Sequence, residues 1–158
     1  MGAKKMREES GRSLIEIIGV LAIGVTMLAA AYSMYKTIDQ RQKRLIAYET
    51  IQDIAKKTKI LYAYSGYAGV SVSVLKTDGA IDKTDAPIGQ EWQITTNNSN
   101  GTEFKIVLKK LDYGDCEYLK IKKADWAKSK LVNAKENGTC TKPNTANQNP
   151  NEVTFVVE

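Results

Sequence analysis

The sequence predicts an α+β fold, in which one long N-terminal helix packs through its second half on a small antiparallel sheet. Three observations support this prediction. No proline interrupts residues 12–65, an apolar run there passes into helical periodicity, and short alternating runs begin only after Gly66 and Gly69. With 158 residues, the chain has room for one modest domain beside such a helix.

The composition excludes several functional classes. The chain contains no histidine, so the commonest general base and the commonest metal ligand are absent. It also contains no P-loop, dinucleotide-binding fingerprint or EF-hand loop. We therefore predict no catalytic residues, no cofactor and no metal site. The net charge is +5, but the lysines are scattered along the chain, which favours a solvated surface over nucleic-acid binding.

The N-terminal part divides into a basic segment and an apolar segment. Residues 1–11 are polar and basic, and residues 12–35 are predominantly apolar, with no charge from Ile17 to Tyr35. The apolar segment is long enough to span a membrane as a helix, which takes about 20 residues. Because positive charge precedes it, we expect the leader in the cytoplasm and the C-terminal bulk outside.

One acidic residue, Glu16, lies inside the apolar run. A carboxylate at membrane depth costs about 2.5–3.5 kcal/mol on insertion scales, so such a residue usually has a partner and a role. The segment could be a plain signal anchor, with Glu16 close to the interface. It could also be a secretory signal peptide, because Ala29-Ala30-Ala31 matches a signal peptidase site.

A third interpretation comes from a resemblance. Residues 11–16, GRSLIE, resemble the prepilin peptidase site of type IV pilins and type II secretion pseudopilins. The family pattern is Gly, an apolar residue, Ser/Thr-Leu-Ile/Leu-Glu and a long apolar run. Five of the six positions match, and Arg12 departs from the pattern because the first mature residue is usually apolar.

This resemblance implies a maturation and assembly route. A prepilin peptidase would cut after Gly11, the new amine of Arg12 would be methylated, and the apolar helix would stay on the protein. The carboxylate of Glu16 would pair with the amine of Arg12 of a neighbouring subunit. Because a half-made ion pair is costly in a dry helical bundle, such a pair would set the axial register.

The family also implies partners and a location. The partners are further copies of the chain in a homo-oligomeric filament, the prepilin peptidase and a pilus assembly platform. The chain would cross the inner membrane once before assembly and then form part of an extracellular pilus. A pseudopilin or minor pilin is an alternative within the family, and a membrane-anchored or secreted extracytoplasmic binding protein is the alternative outside it.

The helical pattern continues through residues 36–64 with an amphipathic character. Apolar or small residues recur on one face at helical spacing: Ala47, Ile51, Ile54, Ala55, Thr58, Leu61 and Tyr62. We expect this half to pack on a head formed by residues 65–158, and the helix to end near Ala63, with Gly66 and Gly69 as its stop signals.

The head is predicted to contain strands joined by polar turns. We expect strands at 70–74, 91–95, 104–109 and 153–157, with the last preceded by a polar loop at 141–151. The NNSNG run at 97–101 indicates a turn or exposed loop. Residues 115–134 are interpreted as helix or helix–turn.

Two cysteines, Cys116 and Cys140, complete the pattern. They are too far apart for a zinc knuckle and are typical of one disulfide in an oxidising compartment. A late cysteine pair followed by a polar loop and a short terminal strand resembles the type IVb pilins, including those of conjugative thin pili. The short leader is more similar to the type IVa class.

Overall fold

A computed structural model describes the backbone of residues 3–143 and 149–158, and the side chains of residues 14–143 and 149–158. The fold is α+β, as predicted. Its elements are, in chain order, α1 (Ala3–Tyr62), α2 (Val72–Thr77), β1 (Gln93–Thr96), β2 (Phe104–Leu111), α3 (Tyr113–Ile121), β3 (Ser129–Val132), β4 (Lys135–Glu136) and β5 (Asn151–Val157). The chain forms two compact units, Met1–Arg41 and Gln42–Glu158, so the second unit contains the second half of α1 as well as the predicted head.

Helix α1 starts before the predicted position and ends almost where expected. Its backbone is helical from Ala3, within the predicted leader, to Tyr62. The amide of Gly66 donates to the carbonyl of Tyr62 at 3.0 Å, and Gly66 adopts a φ of +73°. Glycine adopts this left-handed conformation without steric cost, which explains why the helix ends here.

The predicted buried face of α1 is correct for about three turns and wrong at its end. Ala47, Ile51, Ile54, Ala55 and Thr58 are all at most 1% exposed. The leucine at position 61, in the last turn of the helix, is 48% exposed, so the buried face ends at Thr58. The tyrosine at position 62 is half-buried against the core.

The sheet is antiparallel with the strand order β1-β2-β5-β3-β4, so the C-terminal strand lies at its centre. Ile106 of β2 is opposite Phe155 of β5, which is in turn opposite Lys130 of β3. Six of the seven residues of β5 are buried, among them the four apolar residues Val153, Phe155, Val156 and Val157. The predicted strands at 91–95, 104–109 and 153–157 are confirmed, with the predicted turn joining β1 to β2.

Two sequence predictions for the head were wrong. Residues 70–74 do not form a strand, because Ser71 caps α2: its Oγ accepts a hydrogen bond from the amide of Val74 at 3.4 Å, and Leu75 enters the core. Residues 115–134 are helical only as far as Ile121. Their second half contains β3, whose pairing with β5 outweighs the local helical pattern.

One core occupies the second unit. It joins the buried face of α1 to the sheet and to α2 and α3. Two ring contacts lie within it: Tyr67 and Phe104 have centroids 4.7 Å apart, and Trp126 and Phe155 have centroids 5.2 Å apart.

Candidate assembly helix and disulfide-closed loop

The first unit exposes apolar side chains on every side of α1. Ten large apolar residues between positions 14 and 28 are each 56–72% exposed: Leu14, Ile15, Ile17, Ile18, Val20, Leu21, Ile23, Val25, Met27 and Leu28. Within Leu14–Tyr62, an 18-residue window reaches a mean hydropathy of 2.3. By length and composition, this helix can cross a membrane. A helix that is apolar all round needs cover from lipid or from other protein.

Three hydroxyl groups of this segment donate to carbonyls of the helix itself. Thr26 donates to the carbonyl of Ile23 and Ser33 to that of Ala30, both at 2.8 Å, and Thr37 donates to the carbonyl of Ser33 at 3.0 Å. In an environment without water these hydroxyls would otherwise be costly. These three side chains therefore need no external partner.

The predicted processing and assembly residues lie at the start of this segment. Glu16 is exposed on α1. Gly11 and Arg12 fall among the residues whose side chains lie outside the description, so the structure does not test the predicted pairing of Arg12 with Glu16. Cleavage after Gly11 and methylation of the new amine remain predictions.

The predicted disulfide is confirmed. Cys116 and Cys140 are bonded, with their Cα atoms 5.9 Å apart and a sequence separation of 24 residues. Cys116 is fully buried in α3, and Cys140 packs against the core. The bond encloses most of α3 together with β3 and β4, and we call residues 116–140 the disulfide-closed loop.

One end of this loop is joined to α1 by an ion pair. The Arg44 Nε lies 2.6 Å from the Asp115 Oδ1, and its Nη2 lies 3.8 Å from the Asp112 Oδ1. Asp112 also caps α3 by accepting from the amide of Asp115. Burial raises the pKa of the Asp115 carboxyl, and the hydrogen bond from Arg44 opposes that shift. A Cβ atom at Gly114 would lie 2.5 Å from the Arg44 Nη2, so any larger residue there would displace the end of this guanidinium.

The other end of the loop is held by a buried asparagine. The Oδ1 of Asn151 accepts from the amide of Thr141 at 2.7 Å and from the Asn133 Nδ2 at 3.2 Å. Its Nδ2 donates to the carbonyls of Thr141 at 2.9 Å and Leu111 at 3.4 Å. This side chain is fully buried, and both its amide oxygen and its amide nitrogen are hydrogen-bonded. It therefore fixes the backbone immediately after Cys140.

Within the loop, a lysine caps the C-terminal end of α3. The Nζ of Lys130 donates to the carbonyls of Leu119, at 3.2 Å, Lys120, and Lys122, at 2.7 Å. These are carbonyls that the end of a helix leaves without an intrahelical partner, and a cation there also complements the helix dipole. Burial lowers the pKa of the Lys130 amine.

Sequence reasoning missed Arg44, Asn151 and Lys130. Arg44 is one of several cations on α1, Asn151 follows an asparagine-rich run, and Lys130 is one of five lysines in residues 120–130. Each acts through partners that are distant in sequence or buried, so the local pattern contained no signal that distinguishes them.

Across residues 14–143 and 149–158, no group of three or more carboxylate or cysteine side chains is placed to hold a metal ion. Comparisons of the chain with protein-family models and with curated proteins give no match. The features that bear on function are therefore the N-terminal helix and the head into which its second half is packed.

Proposed function

We propose that this chain is a type IV pilin: a structural subunit, not an enzyme, that is inserted in the inner membrane and polymerised into an extracellular filament. A prepilin peptidase would cleave it after Gly11 and leave the apolar helix on the mature subunit. An assembly platform would then bring copies together through α1.

The observation that carries this proposal is the difference between the two parts of α1. Its first part is exposed and apolar on all sides, and its second part is built into the core of a disulfide-bonded domain. A lipid bilayer covers the first part before assembly, and packing against the same helix of other copies covers it afterwards. Bilayer and filament together therefore cover the apolar segment both before and after the subunit leaves the membrane.

Glu16 favours a filament over a simple anchor. An anchor or a cleaved signal peptide has no use for a carboxylate in its apolar run, and insertion of that charge has a cost. In a filament, a free amine at Arg12 of a neighbouring subunit would supply the opposite charge. The disulfide supports an extracytoplasmic head, because such bonds persist in oxidising compartments.

The test combines electron microscopy with analysis of the mature N-terminus. Cells that produce this chain with its peptidase and assembly platform should carry filaments built from it, and the filament subunit should begin at Arg12. A protein that begins at Tyr32 would have been cut by a conventional signal peptidase after Ala31, which would contradict the proposal.

The alternatives differ in the amount and form of the product. A pseudopilin or minor pilin would also begin at Arg12 but would contribute few copies to filaments composed mainly of another subunit. A membrane-anchored binding protein would keep its leader and form no filament at all. Quantitative mass spectrometry of sheared filaments separates these cases.

A further inference from the structure

The head has an acidic, apolar groove on one flank of α1 and a basic, apolar projection on the other. Residues 78–91 contain four carboxylates and one lysine, a net charge of −3. Residues 120–130 contain five lysines and one aspartate, a net charge of +4. Both segments belong to the second unit, and their opposite charges make them complementary surfaces.

The groove has an apolar floor and a charged rim. Its volume is about 260 Å³, which exceeds the ~150 Å³ of a cavity that holds a benzene ring. Ile54, Ile81 and Trp92 are buried at its floor, and the half-exposed Ile46 of α1 forms part of its wall. The charged residues around the groove are the exposed carboxylates Asp53, Asp82 and Asp85 and the lysines Lys57 and Lys83, a net charge of −1, and Asp53 pairs with Lys57 at 2.8 Å.

The projection consists of Ile121 and the two lysines that follow it, Lys122 and Lys123. Ile121, the last residue of α3, is 73% exposed. Lys122 follows it and lies over the rings of Tyr48 and Tyr118, 5.8 and 5.1 Å from their centroids, so its position is restrained. Lys123 is exposed, and its carbonyl accepts a hydrogen bond from the Tyr48 hydroxyl.

The two surfaces face away from each other within one copy. Ile46 lines the groove and Tyr48 contacts the projection, and two residues along an α-helix correspond to a rotation of about 200°. A copy therefore cannot place its own projection in its own groove. Two different patches that complement each other make a heterologous contact, which propagates from copy to copy instead of closing on a pair.

We propose that the Ile121 projection of one copy docks in the Ile46–Trp92 groove of the next, so that the heads make a repeating contact of their own in the filament. Ile121 supplies the apolar anchor, and Lys122 and Lys123 meet the rim carboxylates Asp82 and Asp85. This inference rests on the proposed filament and adds to it a named pair of head surfaces.

Charge reversal in full-length chains tests the pairing. One variant carries Lys122→Glu and Lys123→Glu, and the other carries Asp82→Lys and Asp85→Lys. Each alone should reduce filament yield at least tenfold, and co-expression of the two should restore it, because each reversed patch then meets a complementary neighbour. A control with Lys110→Glu and Lys135→Glu has the same charge change as the first variant on exposed residues outside both surfaces, and should assemble normally.

Failure of this rescue would overturn the inference. If each variant loses filaments but co-expression does not restore them, the two patches do not meet. If both variants assemble at wild-type yield, the head contact is also wrong, whereas the filaments themselves would uphold the proposed function.

Cysteine cross-linking gives a readout that does not depend on filament yield. Both native cysteines are bonded to each other, so added thiols have no native thiol to compete with them. Oxidation of membranes or filaments that contain both an Ile121→Cys and an Asp82→Cys chain should give a covalent dimer, and a mixture of Ile121→Cys with Lys110→Cys should not. A dimer in membranes without visible filaments would support the contact while counting against the pilus. Filaments that give no dimer would reject the contact alone.

Discussion

The Nε of Arg44 lies 2.6 Å from the Oδ1 of Asp115, the residue immediately before Cys116. Their side chains are 21% and 14% exposed, so the pair is largely shielded from water. This contact joins α1 to the residue that immediately precedes the disulfide-closed loop. Because α1 also contains the proposed assembly segment, the same helix carries both the segment that would polymerise and an anchor for the loop.

Removal of Arg44 should destabilise the head. We expect Arg44→Met to lower the free energy of unfolding by about 2 kcal/mol, because the Asp115 carboxylate would lose its charged hydrogen-bond partner. This is less than the 3–5 kcal/mol typical of a fully buried pair, since both side chains keep some solvent contact. Denaturant unfolding followed by tryptophan fluorescence measures the change.

The exposed pair Asp53–Lys57 on the same helix provides the control. Its side chains are 58% and 42% exposed, and Asp53→Asn should change the free energy of unfolding by less than about 1 kcal/mol. Equal effects of Arg44→Met and Asp53→Asn would mean that the Arg44 contact has no special structural importance.

Loss of the disulfide should cost more than loss of the ion pair. Replacement of Cys116 and Cys140 by alanine should lower the free energy of unfolding by about 3.5 kcal/mol in the chain-entropy model. Neither thiol of the native, unreduced protein should react with a maleimide, and both should react after reduction and unfolding. Labelling of the native protein would contradict the bond.

The tyrosine at the end of α1 should give the head a distinctive alkaline transition. The Tyr62 hydroxyl donates to the Asp78 Oδ2 at 2.5 Å, and this hydrogen bond raises the pKa of Tyr62 from 10.0 to about 12. The folded state therefore keeps a proton that the unfolded state loses. The stabilisation is complete below pH 10 and is lost as the pH rises through about 12.

Ultraviolet titration of the phenols checks this assignment. Tyr62→Phe should remove one late-titrating phenol, and Asp78→Asn should move that phenol towards its ordinary range. The Tyr62→Phe variant is needed to distinguish the two phenols, because burial also raises the pKa of Tyr67. An unchanged titration in Tyr62→Phe would show that another tyrosine accounts for the late phase.

Among the described residues, Thr58 is the one whose buried side-chain oxygen has no hydrogen-bond partner. An unsatisfied buried hydroxyl costs about 1–3 kcal/mol, so Thr58→Val should raise the free energy of unfolding by about 1 kcal/mol. Thr50 is the matched control, because its hydroxyl donates to the carbonyl of Ile46 at 2.7 Å, and Thr50→Val should gain nothing. A loss of stability in Thr58→Val would reveal a partner for this hydroxyl.

Replacement of Glu16 should separate membrane insertion from assembly. Glu16→Ala removes a charge from the apolar segment, so insertion should be as good as or better than in the wild type. Cleavage after Gly11 should persist because the cut site is intact. Filament yield should drop sharply, because the amine of Arg12 would enter the bundle without a carboxylate.

The measurements for Glu16→Ala are the amount of processed protein in the membrane and the number of filaments per cell. Normal processing with few or no filaments is the expected result. Wild-type numbers of filaments would remove Glu16 from the assembly mechanism without affecting the fold.

Features determined by short-range pattern were predictable. The charge-free run from Ile17 to Tyr35 needs only its own composition to be helical and apolar, and the buried face from Ala47 to Thr58 repeats at helical spacing. The strand at 104–109 and the terminal strand were likewise correct, because their apolar or alternating sequences suit a sheet whatever their partners are.

Pairing between distant segments decided the rest. Residues 70–74 alternate like a strand, yet the cap from Ser71 and the burial of Leu75 make α2 more favourable there. Residues 129–132 follow a helix in sequence but become β3, because β5 presents them with an edge to which they can hydrogen-bond. Arg44 and Asp115 are 71 residues apart, and Asn151 receives its partners only when β5 is inserted into the sheet. Such contacts depend on which segments the folded chain brings together, and local sequence does not encode that choice.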